Sequence, residues 1–561
     1  MTKKMSYAAQ VSEKETPQTQ PIPGSKQVPN SAGGFSFEVD DWKKLDRFLI
    51  LGTEGGSYYA SEKDLTVQNA EAVLRCVQAD GLRTVARIVE VSDQGLAPKN
   101  DPAIFALGMC LKKGDLKTRK AAEAAVPKVC RIGTHVFQLA EAIQAFGGWG
   151  RVTKRAIANW YLGQKAGGLA TNLVKYQQRN GWAHKDLIRK AHVSTEEGSV
   201  HDTLFRWVAR DGEVSTAREV TRFGKDWKAG QKLRTDQYKA QAKEKLPPVI
   251  EGFEKAKTAQ SPQEVVKLIT DYNLPRECIP TQFLNDVHVW EALLKGGKGM
   301  PFTAMIRNLG KMSEIGLISP MSDGEKFVVA RLADGEGLKS ARVHPLQILL
   351  AQSVYAGGHG LRGSLAWTVS QKVIDALNEA FYLSFKFVEP TGKRRLIGLD
   401  VSGSMSSGNV SGTPLTPREA ACALSLVTAR TEQDWHIMAF SRGFIPVDIS
   451  PKERLDDVVR KTAALPFEGT DCSLPVLYAL EKKIPVDAFE VYTDSETYAG
   501  RMHPKQALDQ YRQKTGIPAK LVVVGLVSNG FSIADPNDAG MMDVVGFDSS
   551  APQLMANFIR E

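Results

Sequence analysis

The hydrophobic pattern divides the chain into a helical part and a later part of alternating strands and helices. From about Phe35 to Leu365, apolar residues recur at i, i+3 and i+4, which is typical of helices that bury one face. Segments with this stripe include 69–78, 118–129, 134–146, 154–162 and 169–178, separated by short turns that contain Gly or Pro. Stacked helix pairs can bury such stripes, so the pattern predicts a repeat-like α-solenoid.

After Pro390 the pattern changes to short apolar, β-branched runs bounded by turns. The predicted strands are 395–401, 435–441, 488–493 and 519–526, and the predicted helices between them are 417–431, 474–482 and 505–514. Strands that alternate with helices indicate a doubly wound parallel α/β domain. Ligands bind such domains at the carboxyl ends of the strands.

A chain of 561 residues is too long for one ordinary core. We therefore expect a disordered tail at 1–34, which is rich in Pro, Gln, Ser and Thr, a helical domain at 35–370 and an α/β domain at 371–561. The six cysteines have no Cys-x-x-Cys spacing. With no signal-peptide pattern and no apolar run long enough to cross a bilayer, the sequence predicts reduced thiols in the cytoplasm.

Positive charge is concentrated in one part of the helical region. Residues 110–190 contain 16 Lys and Arg against 4 Asp and Glu, whereas residues 390–561 contain 18 against 21. The first part is suited to a polyanion and the second is not. Aromatic residues alternate with these cations, which favours RNA with unpaired bases, although Trp160 and Trp182 are also typical of a helix core.

The most informative chemistry is Asp400-x-Ser402-x-Ser404, which directly follows an apolar strand. Thr470 lies in a later loop, and Asp494 ends another apolar strand. Carboxylates and hydroxyls that converge at strand ends are hard oxygen ligands, so these five residues predict a divalent cation site, with Mg2+ as the expected ion. The alternative is that both serines cap the next helix and Asp494 is a turn residue. The five-residue set closely resembles the metal-ion-dependent adhesion site of von Willebrand factor type A domains.

Several longer strings, in the same order along the chain, resemble the Ro ribonucleoprotein autoantigen family and its bacterial relatives. They are Gly52–Tyr59, Lys175–Leu187, Ile306–Met312, His359–Gly363, Glu389–Arg394, Gly469–Pro475 and Ser528–Pro536. The resemblance covers about Phe35 to the end of the chain. It implies a TROVE module of HEAT-like helices closed into a monomeric ring, followed by a von Willebrand A domain.

The resemblance also implies a non-enzymatic role in RNA quality control. Family members hold small noncoding Y RNA on the basic outer surface of the ring and single-stranded 3′ ends of misfolded RNAs in its hole. Bacterial relatives are tethered by Y RNA to an exoribonuclease, polynucleotide phosphorylase. By position, the stretch from Lys175 to Arg189 would belong to the Y RNA surface. The segment 193–261 departs from the family pattern.

Thirteen residues are predicted to contact RNA on the basis of charge and resemblance. Arg307 and Lys311 come from a second basic set in the later helices, where the alternative for Arg307 is an ion pair with a neighbouring acid. The set is Lys117, Arg119, Lys120, Arg151, Lys154, Arg155, Lys175, Arg179, His184, Lys185, Arg189, Arg307 and Lys311.

Two other functions remain open from the residues alone. The cation site could support a phosphoesterase or nuclease, although the motif strings around Asp400 contain no His, and only His436 and His503 lie in that half. The cation could instead bind a carboxylate of a protein partner, as in adhesion domains. That second function is compatible with RNA binding by the same chain.

Overall fold

The computed structural model describes residues 15–52, 70–196, 198–209, 246–360, 363–385, 388–407, 410, 415–466, 469–527, 530–547 and 549–561. Most of the 52–59 string and residues 210–245 of the divergent segment 193–261 therefore lie outside the described residues. The described part of the chain contains a helical region and an α/β region, as the hydrophobic pattern predicts.

Before residue 210, the described part of the helical region contains nine helices. They are α1 (Asp41–Leu51), α2 (Glu71–Gln94), α3 (Asp101–Lys113), α4 (Leu116–Val129), α5 (Gly133–Ala145), α6 (Arg151–Leu162), α7 (Ala166–Lys175), α8 (His184–Ala191) and α9 (Val200–Ala209). After residue 245 come α10 (Pro248–Thr258), α11 (Pro262–Tyr272), α12 (Val287–Lys295), α13 (Phe302–Arg307), α14 (Leu309–Glu314), α15 (Asp323–Leu332), α16 (Gly335–Ser340), α17 (Pro345–Ala356) and α18 (Gln371–Leu383).

These helices pack in two layers, as in a HEAT-like solenoid. Helices α2, α4, α6 and α8 pack side by side in one layer, and α3, α5, α7 and α10 pack side by side in the other. Each helix buries an apolar stripe; α5, for example, buries Val136, Phe137, Leu139, Ala140 and Ile143. A single helix cannot bury its stripe alone, so stacking creates the continuous core.

The predicted helix at 169–178 ends earlier than its pattern suggests. Helix α7 stops at Lys175, and a short hairpin pairs strand β3 (Gln178–Arg179) with strand β4 (Trp182–Ala183). The hairpin turn requires positive φ at Asn180 (51°) and Gly181 (74°), and the Asn-Gly pair meets this requirement at low cost.

The solenoid closes on itself where the loop after α2 meets the loop between α16 and α17. Arg342 forms an ion pair with Asp93 at 2.9 Å, and the Gln347 side chain donates to the Pro98 carbonyl at 2.9 Å. His344 Nε2 lies 3.0 Å from the Leu96 carbonyl oxygen. These contacts join residues about 250 positions apart and close the helices into the predicted ring.

The α/β region is built on a sheet whose strands are β5 (Arg395–Asp400), β6 (Trp435–Phe440), β7 (Phe444–Pro446), β8 (Ala488–Thr493), β9 (Lys520–Gly525) and β11 (Met541–Val545). The strand order is β11-β9-β8-β5-β6-β7, and every neighbouring pair except β6 and β7 is parallel. The helices are α19 (Pro417–Thr431), α20 (Leu455–Ala463), α21 (Leu474–Glu481), α22 (Pro504–Thr515) and α23 (Ala551–Arg560).

The prediction of a disordered tail at 1–34 is wrong for residues 15–34; residues 1–14 lie outside the described residues. Strand β1 (Gln27–Pro29) pairs with β2 (Phe35–Glu38), and β2 pairs in turn with β10 (Phe531–Ser532). The polar composition of this segment is misleading, because its amides and side chains are satisfied by the α/β region instead of by water.

The two regions are also joined by a buried ion pair. Arg47 of α1 lies 3.0 Å from Asp543 of β11, and both side chains are at most 3% exposed. Arg47 also donates to the Phe531 carbonyl at 3.1 Å. The start of the chain is thus part of the packing of its last domain.

The cysteines and the helices can each be compared with what the sequence predicts. All six cysteines are buried as free thiols. Among the described residues, none of the helices combines the length and the apolar character that a bilayer span requires.

Candidate metal centre and nucleic-acid interface

Asp400 ends β5, and Asp494 directly follows the neighbouring parallel strand β8. β5 and β8 pair in the register Leu399 to Tyr492, which brings Asp400 and Asp494 to the same edge of the sheet. The Thr493 hydroxyl donates to Asp400 Oδ2 at 2.6 Å and holds this carboxylate in place. The strand order therefore explains why residues 94 positions apart meet.

The two serines of the motif turn back toward Asp400. The Ser402 backbone N–H donates to Asp400 Oδ1 at 2.9 Å, and the hydroxyl oxygens of Ser402 and Ser404 lie 2.8 Å apart. Ser402 stands at the N-cap of a short 3-10 helix (Gly403–Ser406), but its side chain makes no capping hydrogen bond, and α19 is capped by Thr416. Asp494 Oδ1 accepts from the Glu496 N–H at 2.8 Å, as the turn interpretation of Asp494 predicts. The two hydroxyls contact each other, so their oxygens lie together beside Asp400.

The loop that contains Thr470 lies against the loop that follows Asp494. The backbone N–H groups of Tyr498 and Ala499 both donate to the Thr470 carbonyl at 3.0 Å, and the Asp471 N–H donates to the Ser441 carbonyl at 2.9 Å, just past the end of β6. Three loops at the carboxyl edge of the sheet thus bring together the regions that contain the five predicted ligands.

The electrostatics of this edge favour a cation. Burial, together with the negative charge of Asp494, raises the pKa of Asp400 to about 7. Among the described residues no group of three or more His, Cys, Asp or Glu side chains is placed to hold a metal, so the remaining donors would have to be hydroxyls. Two adjacent carboxylates completed by Ser and Thr oxygens fit Mg2+, which binds few protein carboxylates and keeps several waters.

A cavity of about 1540 Å³ lies inside the ring of helices. Residues of α5 and α7 and the loops after α2, α11, α12 and α16 line it, and its charged residues are eight cations and two carboxylates. The cations are Lys99, Arg131, Lys175, Arg179, Arg276, Lys298, Arg307 and Arg342, and the carboxylates are Asp101 and Glu277. Arg342 is paired with Asp93, and the other seven cations outnumber the two carboxylates, so the cavity is electropositive.

Three of the predicted RNA contacts belong to this cavity. They are Lys175, Arg179 and Arg307, so the prediction that the whole stretch from Lys175 to Arg189 lies on the outer surface is wrong for its first two cations. Helix α7 belongs to the layer that lines the cavity, which explains their position. Arg307 lines the cavity and forms no ion pair with a carboxylate among the described residues, in contrast to the alternative of an ion pair.

Eight further predicted contacts lie on or beside the helices of the other layer. Lys117, Arg119 and Lys120 are on α4, Arg151, Lys154 and Arg155 on α6, and Lys185 and Arg189 on α8. Lys117, Lys120 and Arg151 are exposed. Arg155 is paired with Glu123, and Arg119 donates to the Lys112 carbonyl at 3.2 Å. Both guanidinium groups therefore already make contacts within the protein.

His184 is buried, so the prediction that it contacts RNA is wrong. The residue is 2% exposed, and the Tyr161 hydroxyl lies 2.7 Å from its Nδ1. Burial lowers the pKa of His184 to about 4, so the ring is neutral at physiological pH and carries no charge for a phosphate. The charged residues around it in sequence do not determine which side of α8 it faces.

Lys311 and the tryptophans serve mainly protein contacts. Lys311 binds Glu314 at 2.7 Å and Asn285 at 2.8 Å, which neutralises much of its charge. Trp160 is 2% exposed and donates its indole N–H to the Cys130 carbonyl. Trp182 is half-buried, with Lys190 Nζ 5.2 Å from its ring centre. The core interpretation is confirmed for Trp160.

Sequence reasoning missed several cations of the cavity. Lys99, Arg131 and Lys298 lie in loops between helices, and Arg276 begins a short 3-10 helix (Arg276–Cys278). Three of the four lie outside the basic window at 110–190. A usable signal is that each follows the end of one helix of a stacked pair, because such loops recur on one side of a solenoid.

Comparison with known proteins gives consistent matches along the chain. The TROVE domain model matches residues 28–393, and the Ro60 vWA domain model matches residues 394–559. A protein of Deinococcus radiodurans named RNA-binding protein RO60 is 40% identical over 547 residues, covering 97% of each chain. A protein of the same name in Caenorhabditis elegans is 36% identical over 583 aligned positions, covering 95% of this chain and 90% of that one.

A solved structure extends this likeness to three dimensions. The crystal structure of the Deinococcus radiodurans Ro (RSR) protein superposes with a TM-score of 0.67 at 40% identity. The superposition covers 93% of this chain and 99% of that protein. Both proteins therefore have the same fold, in which the helical region is followed by the α/β region.

Proposed function

This chain belongs to the Ro60 family, and from that premise we propose that it is an RNA-binding scaffold that holds Y RNA on its outer surface and the single-stranded 3′ ends of misfolded RNAs in its central cavity. Such a scaffold acts in RNA quality control and does not itself cleave RNA. The observation that supports the proposal best is the cavity lined by eight cations and two carboxylates.

Aromatic rings beside these cations favour single strands. Tyr176 and Tyr272 line the cavity, and Lys175 Nζ lies 5.3 Å from the centre of the Tyr176 ring. Unpaired bases can stack on such rings while the cations neutralise the backbone, whereas paired bases are already stacked within the duplex. The cavity is thus suited to an RNA end, and the outer layer to a folded RNA.

The outer surface contributes the sequence-independent part of binding. Lys117, Lys120 and Arg151 are exposed on adjacent helices α4 and α6 and can reach phosphates. If a folded RNA makes about six phosphate contacts, its affinity should fall roughly 1,000-fold between 50 and 200 mM salt. Binding that is insensitive to salt would contradict this part of the proposal.

A paired RNA experiment separates the two surfaces. The ligands are one hairpin and the same hairpin with a single-stranded 3′ extension. Replacing Arg276 and Arg307 by Gln should remove the extra affinity for the extended RNA. Replacing Lys117 and Lys120 by Gln should lower the affinity for both RNAs. Lys326→Gln is the control, because Lys326 is an exposed cation of α15 and is not one of the residues that line the cavity. If the cavity variant keeps the preference for the extended RNA, the cavity assignment is wrong.

A nuclease is disfavoured by the positions of the two histidines in the α/β half. His436 is paired with Leu396 at the start of β5, about 13 Å from the level of Asp400 at four residues of strand rise. His503 Nε2 lies 2.8 Å from the Gln20 carbonyl oxygen, and its Nδ1 lies 3.1 Å from the Gln27 amide nitrogen. Neither imidazole is poised to activate water at the carboxylates.

We also propose that Mg2+ binds at the sheet edge that contains the five predicted ligands, and that this ion provides a site for a protein partner. Ser404 is half-buried and Tyr498 is 37% exposed, so the edge is accessible from solvent. An open coordination position there could accept a carboxylate from another protein. This function is independent of the basic surfaces, and an exoribonuclease is one partner class that kinship implies.

A further inference from the structure

The N-terminal strap, defined as residues 15–34, lies across the loops that surround the predicted cation site. Gln18 is fully buried, and its backbone N–H donates to the Gly500 carbonyl at 3.0 Å. Asn30 donates to the Thr497 carbonyl at 2.8 Å, and the Ala32 N–H donates to Glu496 Oε2 at 3.1 Å. All three contacts fall within six residues of Asp494.

Gln18 uses its whole amide to join two loops. Its Nε2 donates to Asp471 Oδ1 at 2.8 Å and to the Met502 carbonyl at 2.9 Å. Its Oε1 accepts from the Thr497 hydroxyl at 2.6 Å and from the Gly500 N–H at 3.0 Å. One side chain therefore connects the residue after Thr470 with the loop that follows Asp494.

A second connection passes through the Thr497 hydroxyl. This hydroxyl accepts from the Cys472 N–H at 3.1 Å and donates to Gln18 Oε1. The two loops and the strap thus share one hydrogen-bonded cluster, and its members are buried. Removing Gln18 would leave several buried donors and acceptors without partners.

The close approach of the strap is built into its sequence. A Cβ added at Gly34 would lie 1.9 Å from the Thr497 carbonyl oxygen, so no larger residue fits there without a backbone shift. Strand β2 then continues directly into α1, the first helix of the ring. The strap is therefore held at both of its ends.

We propose that Gln18 is a positioning residue for the cation site: it fixes the spacing between the Thr470 loop and the Asp494 loop, and so sets the affinity for the ion. The inference rests on the proposed Mg2+ site and adds to it a contribution from the chain's N-terminal strap. Groups that orient metal ligands without touching the metal commonly change affinity by about 10- to 100-fold when they are removed. The effect on Mg2+ affinity should fall in that range.

The test is calorimetric titration of the full chain with Mg2+, and with Mn2+ as a second probe. Gln18→Ala should weaken binding by about 10-fold or more. Gln18→Glu, which loses both Nε2 donors and places a carboxylate beside Asp471, should weaken it as well. Gln20→Ala is the matched control, since the Gln20 side chain is exposed and only its carbonyl contacts His503.

The outcomes distinguish the two proposals. If the unmodified chain binds neither Mg2+ nor Mn2+, the cation site itself is wrong. If the unmodified chain binds and Gln18→Ala binds equally well, the site stands and the positioning role is wrong. Thermal unfolding in EDTA shows whether each variant is folded.

A measurement on the unmodified chain covers the case in which the variants do not fold. Amide hydrogen exchange at Gln18 and Gly500 should slow when Mg2+ is added, because the ion and the strap stabilise the same loops. Exchange that Mg2+ slows at Thr470 and Asp494 but leaves unchanged at Gln18 and Gly500 would overturn the inference.

Discussion

His344 Nε2 lies 2.7 Å from the carbonyl oxygen of Phe547, which joins the helical ring to the last domain at the point where the ring closes. The same nitrogen lies 3.0 Å from the Leu96 carbonyl, and Nδ1 accepts from the Leu346 N–H at 3.2 Å. Because Nδ1 is an acceptor, the proton must be on Nε2. One neutral imidazole therefore connects three segments that are distant in sequence.

Replacing His344 by Ala should destabilise this junction. The Leu96 and Phe547 carbonyls would lose a buried donor, at a cost of about 1–3 kcal/mol of unfolding free energy. Urea unfolding followed by circular dichroism gives the measurement. His359→Ala is the control, because His359 is exposed in the next loop. Equal stability of both variants would show that the junction does not depend on the imidazole.

Acid should begin to destabilise the folded protein at pH values well above those at which ordinary carboxylates titrate. Burial lowers the pKa values of His135, His184 and His344 to about 4, and the charge of Arg131 contributes at His135. An unfolded histidine titrates near 6.5, so below that pH the unfolded chain binds more protons than the folded chain. The stabilisation is complete above about pH 6.5 and is lost as pH falls toward 4.

The expected slope is about 1.4 kcal/mol per pH unit for each histidine within that window. Urea midpoints at pH 7.5, 6.0 and 5.0 measure it. A His344→Ala variant should have a shallower slope than the unmodified chain, although it is less stable at neutral pH. A variant with the same slope would indicate that His344 is not neutral in the fold.

Two ion pairs near the start of the chain provide a matched comparison. Arg47 and Asp543 are at most 3% exposed, whereas the Lys44–Glu38 pair has side chains that are 17% and 59% exposed. Arg47→Met leaves Asp543 buried without its cation and should cost about 3–5 kcal/mol. Lys44→Met should cost no more than about 1 kcal/mol. Thermal unfolding of both variants tests the prediction, and similar melting temperatures would contradict it.

The cation site and the RNA surfaces should respond to different substitutions. Asp400→Asn and Asp494→Asn each remove one of the two carboxylate ligands, and we expect Mg2+ affinity to fall at least about 100-fold. Affinity for hairpin RNA should change by less than about twofold, because the basic surfaces are untouched. Asp434→Asn, an exposed acid of the same domain, is the control. A large loss of RNA binding in the Asp400 variant would contradict this separation.

Much of the architecture could be read from local pattern. The apolar stripes predicted α4, α5 and α6 to within about three residues, and the strand at 488–493 was predicted without error. The convergence of Asp400 and Asp494 was also predictable, because parallel strands of a doubly wound sheet end at one edge. The hydrophobic period of a helix or strand is a property of a short segment, and so is the direction of a strand. Both can therefore be read from the sequence alone.

The local pattern did not show on which side of the helix stack each charged residue lies. Lys175 and Arg179 line the cavity with Arg276, which is about 100 positions later, and His184 is buried against Tyr161. Such positions depend on how far each helix is rotated and on the curvature that accumulates along the stack. Both are set by packing between helices, and neither changes the local hydrophobic period.

The sequence by itself determined the two architectures, the concentration of positive charge and the ligand types of the cation site, because each of these depends on residues close together in the chain or on strand direction. The tertiary structure alone decided that the ring closes at His344, that Gln18 lies among the cation loops, and which cations face the cavity. These are contacts between segments that lie up to several hundred residues apart. They form only when the whole stack of helices has brought both ends of the chain to the same domain.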